Sequence, residues 1–95
     1  MKFLEKYDFN KEELADFLNN TPKKLIDAIK EHKNLVCENI KYLKELGVKN
    51  YKEIFIKFYD MFLMDNSNFI EVFAKYDRED LIEKLEKNVS IVEYL

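Results

Sequence analysis

A short stretch of this chain is repeated three times in altered form. Phe3-Leu4-Glu5-Lys6-Tyr7-Asp8-Phe9 is echoed by Tyr42-Leu43-Lys44-Glu45-Leu46-Gly47-Val48, and Lys6-Tyr7-Asp8 returns as Lys75-Tyr76-Asp77. Each copy leads into a helix-start signal: Asn10-Lys11-Glu12-Glu13-Leu14, Asn50-Tyr51-Lys52-Glu53-Ile54 and Asp77-Arg78-Glu79-Asp80-Leu81. A unit recurring roughly every 30 to 40 residues buries its apolar face only against neighbouring units, and such arrays present surfaces for binding rather than enclosed pockets. The expected fold is therefore all-α: short right-handed helices stacked as two to three units in one domain, with approximate boundaries 3–41, 42–71 and 72–95.

Composition agrees with that expectation. Hydrophobic residues make up 47% and charged residues 37%, with one Gly and one Pro among 95 residues. That is too apolar for disorder and too poor in chain breakers for an all-β fold. Fifteen Lys against one Arg, with nine Asn, reads as the codon bias of an AT-rich genome, so the number of lysines says little about a partner. Net charge is −3, whereas phosphate neutralisation calls for a basic excess. The single Cys37 excludes an intramolecular disulfide, and Glu5 and Lys6 interrupt any N-terminal apolar run of the secretory type. The longest uncharged apolar stretch, Met61 to Met64, falls far short of the about 20 residues a membrane span requires. The expected location is cytoplasmic, with no membrane association.

Six helices can be read from caps and periodicity. Asn10 and Glu13 form a capping box, with Phe9 and Leu14 at staple positions, and Leu14, Phe17 and Leu18 make an apolar stripe. Thr21 caps a second helix with Pro22 at its first position, burying Leu25, Ile26 and Ile29. A third, after a polar break at 31–34, carries Val36, Ile40, Leu43 and Leu46 and ends at Gly47, with Val48 packing back over the turn. Asn50 and Glu53 repeat the capping box for a fourth helix bearing Ile54, Phe55, Phe58 and Phe62. The cluster 65–68 opens a fifth, with Phe69, Val72, Phe73 and Tyr76, and Asp77 caps a sixth, with Leu81, Ile82 and Leu85. Phe55, Phe58, Phe62, Phe69 and Phe73 are expected to stack where units meet. The tail, Val89 to Leu95, places five apolar residues in seven positions; it folds back, pairs with another copy or docks on a partner.

The order of these segments resembles one complete repeat of the mitochondrial transcription termination factor (mTERF) type: Phe3 to Tyr7, the capped helix from Asn10 to Leu18, Thr21-Pro22-Lys23-Lys24-Leu25, then Asn39 to Val48. In that family, repeats of short helices form a left-handed superhelical solenoid with a Pro-x-x-Leu step and a Leu-Gly-type turn, and Pro22-Lys23-Lys24-Leu25 and Leu46-Gly47-Val48 match those two steps. The resemblance implies a small α-solenoid. In the second copy Asp60-Met61-Phe62-Leu63 stands where Pro22 to Leu25 stood, and in the third Tyr76-Asp77 replaces the Leu-Gly turn. Family members bind nucleic acid along a basic groove built from many repeats, whereas this chain has one Arg and an acidic balance.

Chemistry-bearing residues are few. His32 and Cys37 lack the two further ligands a zinc site needs, and they read as a turn residue and a half-buried thiol. Thr21, Ser67 and Ser90 stand at expected caps and have only His32 as a histidine base. Asp77, Glu79, Asp80, Glu83 and Glu86 lack the glycine of a calcium loop and favour a helix N-terminus instead; their other reading is an acidic stripe that mimics nucleic acid. No phosphate-cradling glycine loop is present, and no cofactor or small-molecule substrate is expected.

The leading expectation is a non-enzymatic binding module for a protein partner or for itself as a homodimer. Exposed tyrosines suit such a contact, and the residues assigned to it are Tyr51, Tyr59, Val92, Tyr94 and Leu95, with Tyr42 as a further half-exposed ring. The alternative is a nucleic-acid contact through a lysine edge of Lys23, Lys24, Lys30, Lys33, Lys41 and Lys44. Asp27, Glu31, Glu38 and Glu45 interleave with these lysines.

Overall fold

The computed structural model describes residues 1–95 and contains helices and turns without a strand. Six α-helices, α1 (Lys11–Asn20), α2 (Lys23–Glu31), α3 (Lys33–Leu46), α4 (Tyr51–Lys57), α5 (Asn66–Ala74) and α6 (Arg78–Lys87), alternate with 3₁₀ segments at Lys2–Tyr7, Tyr59–Leu63 and Val89–Tyr94. Helix α1 begins as its sequence requires. The Asn10 side chain accepts from the Glu13 N–H at 2.7 Å, and the Glu13 carboxylate accepts from the Asn10 N–H at 3.0 Å. This pairing satisfies two of the N–H groups that a helix start leaves free, and it holds the Glu13 carboxyl below its ordinary pKa.

Helix α3 ends in a Schellman motif. Gly47 takes φ 100°, its N–H donates to Lys44 O, and Val48 N–H donates to Leu43 O. Glycine bears this left-handed conformation at no steric cost. Space matters here as well, because a β-carbon on Gly47 would stand 3.3 Å from the Arg78 guanidinium and 3.5 Å from Ile82. A further carbonyl at this end, Leu46 O, accepts from Arg78 Nε at 2.7 Å. The only arginine of the chain thus joins the start of α6 to the end of α3.

The repeat is visible in the backbone. Asp8, at the position equivalent to Gly47, also takes a left-handed conformation, φ 70°, and is the one non-glycine residue with positive φ. Phe9 and Val48, which follow these two turns, are buried, as are Leu4 and Leu43 four residues before them. Phe73 holds the equivalent buried place before Asp77. Asp77 itself departs from the pattern: it is extended, and its carboxylate accepts from the Asp80 N–H as the N-cap of α6.

Twenty buried apolar side chains form one cluster running from Leu4 to Val92. At its centre a row of rings runs from the turn before α1 to α5: Phe9 to Phe55, Phe55 to Phe62, Phe62 to Phe69 and Phe69 to Phe73, with centroids 5.0 to 5.6 Å apart. Each such pair contributes about 0.5–1.5 kcal/mol beyond the area it buries. The radius of gyration, 12.9 Å, is near the about 12 Å of a compact body this size, so the units wrap a shared core. Asn39 is the one fully buried polar side chain. Its amide donates to Phe62 O and Met64 O, each at 2.9 Å, and its oxygen accepts from Asn66. Those bonds hold the 3₁₀ segment and the start of α5 against α3, as buried polar groups require.

Several expectations are corrected. Asn50 does not cap α4 with its side chain; its amide donates instead to Leu85 O at 2.9 Å, and its own oxygen has no partner within the chain. Donation of its NH₂ group to a carbonyl 35 residues away fixes the side chain in an orientation that leaves its oxygen off the local N–H groups it would cap. Pro22, not Thr21, is the residue before α2, and it has no side chain able to cap. Phe62 lies on the 3₁₀ segment rather than on α4, and Phe58 is half-buried outside the ring row. Where Pro22 to Leu25 would have stood in the second copy, the chain makes that 3₁₀ segment. The tail folds back against α6 and α4, burying Val89 and Val92.

Candidate protein-binding groove

Folding back leaves a groove between the start of α6 and the final 3₁₀ segment. Its walls are Tyr76, Leu81, Ile91, Tyr94 and Leu95, its rim is Asp77, Asp80 and Lys84, and it encloses about 180 Å³. Leu81 and Leu85 turn inward to anchor α6 on the core, which sets the groove floor. Tyr94 is 82% exposed and Tyr76 42% exposed, two of only three large apolar side chains standing open to solvent. A tyrosine presents a large rigid apolar face with a polar tip, and contact surfaces are enriched in it.

The five residues expected at a protein contact separate in the structure. Tyr94 is open and Leu95 half-buried, both on this groove. Tyr59 is half-buried elsewhere, edge-on to Phe17 at 5.5 Å, and it lines a separate cleft with Glu13, Asp16, Phe17, Asn20, Thr21 and Ile56. Tyr51 and Val92 are corrections. Val92 is buried beneath the folded-back tail. Tyr51 is 7% exposed, and its hydroxyl reaches Tyr7 O at 2.8 Å and the Asp8 carboxylate at 2.9 Å. With one proton to give, it donates to one of the two at a time. Burial, the hydrogen bond to Asp8 and the charges of Asp8 and Glu13 push that hydroxyl up to about 12. Conversely, hydrogen bonds from Tyr51 and Lys44 hold the Asp8 carboxyl below its ordinary pKa. Lys52 completes the cluster, 3.1 Å from Asp8 O and 3.3 Å from Glu13. This knot joins the first unit to the second and is structural. Tyr42 is half-buried beside Phe69 and Phe73.

Tyr76 was placed on the apolar face of α5 by periodicity, yet α5 ends at Ala74. Past a helix end the 3.6-residue rule no longer decides which way a side chain points. The neighbouring Asp77 cap was the available signal, since a residue just before an N-cap lies outside both helices.

The lysine edge divides as well. Lys44 pairs with Asp8 at 3.2 Å and Lys41 with Glu45 at 3.9 Å. Lys23, Lys24, Lys30 and Lys33 are exposed and take part in none of the six ion pairs. In the acidic run, Asp80 pairs with Lys84 and Glu83 with Lys87, and Asp77 is occupied as a cap, so the carboxylates alternate with ammonium groups.

No three of His, Cys, Asp and Glu gather at one point. Cys37 lines an open hollow of about 500 Å³ with Phe3, Lys6, Tyr7 and Lys33. Burial pushes its thiol up, against the opposing pull of Lys6 and Lys33, which keeps it protonated and weak as a nucleophile. No helix is long and apolar enough to cross a membrane. Comparison with protein-family models, with curated proteins and with solved structures returns no match for this chain.

Proposed function

We propose that this chain is a non-enzymatic, helical-repeat binding module whose Tyr76–Tyr94 groove takes a segment of another protein molecule. One observation carries the reading: two of the three exposed large apolar side chains stand together on one groove, and exposed apolar groups gathered in one place with a polar rim mark contact surfaces. The recurrence of a left-handed turn at Asp8 and Gly47, each followed by a buried residue, supports an mTERF-like repeat architecture. The dispersal of carboxylates among helix caps and ion pairs supports a binding role over an enzymatic one.

The test is a selection of displayed peptides on the wild-type chain, with the Tyr76→Ser/Tyr94→Ser variant as counter-target. Enriched peptides should lose at least tenfold in affinity on the variant. Equal binding to both proteins would show that the groove is not the contact.

A nucleic-acid contact is the second reading, supported by Lys23, Lys24, Lys30 and Lys33, which are exposed and unpaired. Under it, Lys23→Glu/Lys24→Glu should weaken binding to a short duplex and lower the slope of log affinity against log salt by about 2. An unchanged slope would exclude those lysines from the contact.

A further inference from the structure

Resting on the reading of the groove as a protein contact, we propose that its occupant is a second copy of this chain, which enters by its opposite unit in a head-to-tail joint. The third exposed large apolar side chain, Leu18, 38% open, lies on a separate shallow groove near the start of the chain, beside Met1 and Leu14. All three exposed large apolar side chains therefore belong to these two grooves, one aromatic and one aliphatic.

Their rims carry opposite charge. The Leu18 groove is lined by Lys2 and Lys11 with Glu5, the tyrosine groove by Asp77 and Asp80 with Lys84. Neither Lys2, Lys11 nor Asp77 belongs to any of the six ion pairs, whereas Lys84 is already held by Asp80 at 3.4 Å. The charges outside ion pairs are thus two ammonium groups against one glutamate on one side, and on the other the Asp77 carboxylate, which also caps α6. The wider surface agrees. Residues 1–71 carry twelve bases against thirteen acids, while residues 72–95 hold four bases and six acids, so two of the three net negative charges sit in the unit that bears the tyrosines. A symmetric joint between two tyrosine grooves would press these acidic surfaces together, and a head-to-tail joint places the acidic groove against the lysines instead. Such a joint uses different surfaces on the two copies, so each copy keeps one groove open and assembly continues into rings or filaments.

Sedimentation equilibrium on four samples tests this: wild type, Leu18→Glu, Tyr94→Asp, and the two variants mixed in equal amounts. The wild-type average mass should climb with concentration above the 11.6 kDa of one chain, and fall back in high salt. Each variant alone has one groove blocked on every copy and should stay at the mass of one chain. The mixture retains one intact joint per pair and should reach twice that mass and stop. A wild type that remains a single chain at about 1 mM, where even a joint with a millimolar Kd raises the average mass, overturns the proposal. So does association by Leu18→Glu alone, or a mixture that stays at one-chain mass while the wild type associates. Both substituted positions face solvent, and circular dichroism checks that each variant is folded; Leu18→Ser and Tyr94→Ser serve if either is not. Displayed peptides that bind through Tyr76 and Tyr94, together with a wild type that never associates, would retain the groove as a contact and discard the second copy as its occupant.

Discussion

At residues 6–8 the sequence Lys-Tyr-Asp closes a 3₁₀ turn, with Asp8 left-handed and Tyr7 half-buried; at residues 75–77 the same tripeptide leaves Asp77 extended as a cap and Tyr76 open. The residue that follows separates the two. Phe9 is drawn into the core and turns the chain inward, whereas Arg78 is held by Leu46 O and starts a helix outward from the same sequence. Cover then completes the difference: the Tyr51 hydroxyl reaches Tyr7 O and Asp8 across 43 to 44 residues of chain, and nothing equivalent covers Tyr76. A repeat unit is thus specified by its neighbours as much as by its own residues, and the unit whose Lys-Tyr-Asp tyrosine lacks a cover is the one with the tyrosine groove.

Substitutions in the covered and open units test that contrast. The largest effect is expected for Leu4→Ala, fully buried four residues before the first turn, with a loss of about 2–5 kcal/mol in urea denaturation from transfer and cavity terms together. Gly47→Ala should cost about 1–2 kcal/mol, because an L-residue is strained at its φ of 100° and the new methyl must displace Arg78. Tyr51→Phe should cost about 0.5–1.5 kcal/mol for the lost hydrogen bond. It should also change the alkaline response. The folded-state pKa lies above the ordinary 10.0, at about 12, so this contribution is full below pH 10 and is lost as pH rises through 12. Wild type should therefore show a stability decline in that window that Tyr51→Phe lacks. Asp8 behaves oppositely: its pKa is lowered on folding, so its contribution is present above the ordinary carboxylate range and lost as pH falls below it. Smallest of all, Tyr76→Ser should leave stability within about 0.5 kcal/mol. Should it cost as much as Leu4→Ala, the distinction between covered and open units fails.

Features set within a few residues were legible in the sequence. The Asn10–Glu13 capping box, the Gly47 turn with Val48 behind it, and the Asp77 cap each depend on neighbours no more than five positions apart. What was not legible depends on distant residues. Asn50 has the letters of a capping box, yet Leu85 takes its amide; Tyr51 reads as a surface tyrosine, yet Asp8 and Tyr7 lie above it. The site was half-legible for the same reason. Tyr94 and Leu95 were anticipated from the apolar tail, Val92 from that tail proved internal once it folded back, and Tyr76 depended on where α5 stops.

The ring row has a consequence for how the molecule comes apart. It binds α1's leading turn, α4, the middle 3₁₀ segment and α5 into one body, then ends at Phe73. Beyond it, α6 and the last 3₁₀ segment hold to the rest by aliphatic side chains, by Arg78 on Leu46 O and by Asn50 on Leu85 O. The final twenty or so residues are therefore expected to open as a cooperative block of their own. Amide hydrogens there should exchange with deuterium sooner than those of α3 and α4, and through an opening that leaves the rings packed. The groove is built on the part of the fold that can loosen without the remainder unfolding, so anything that occupies it also slows that exchange.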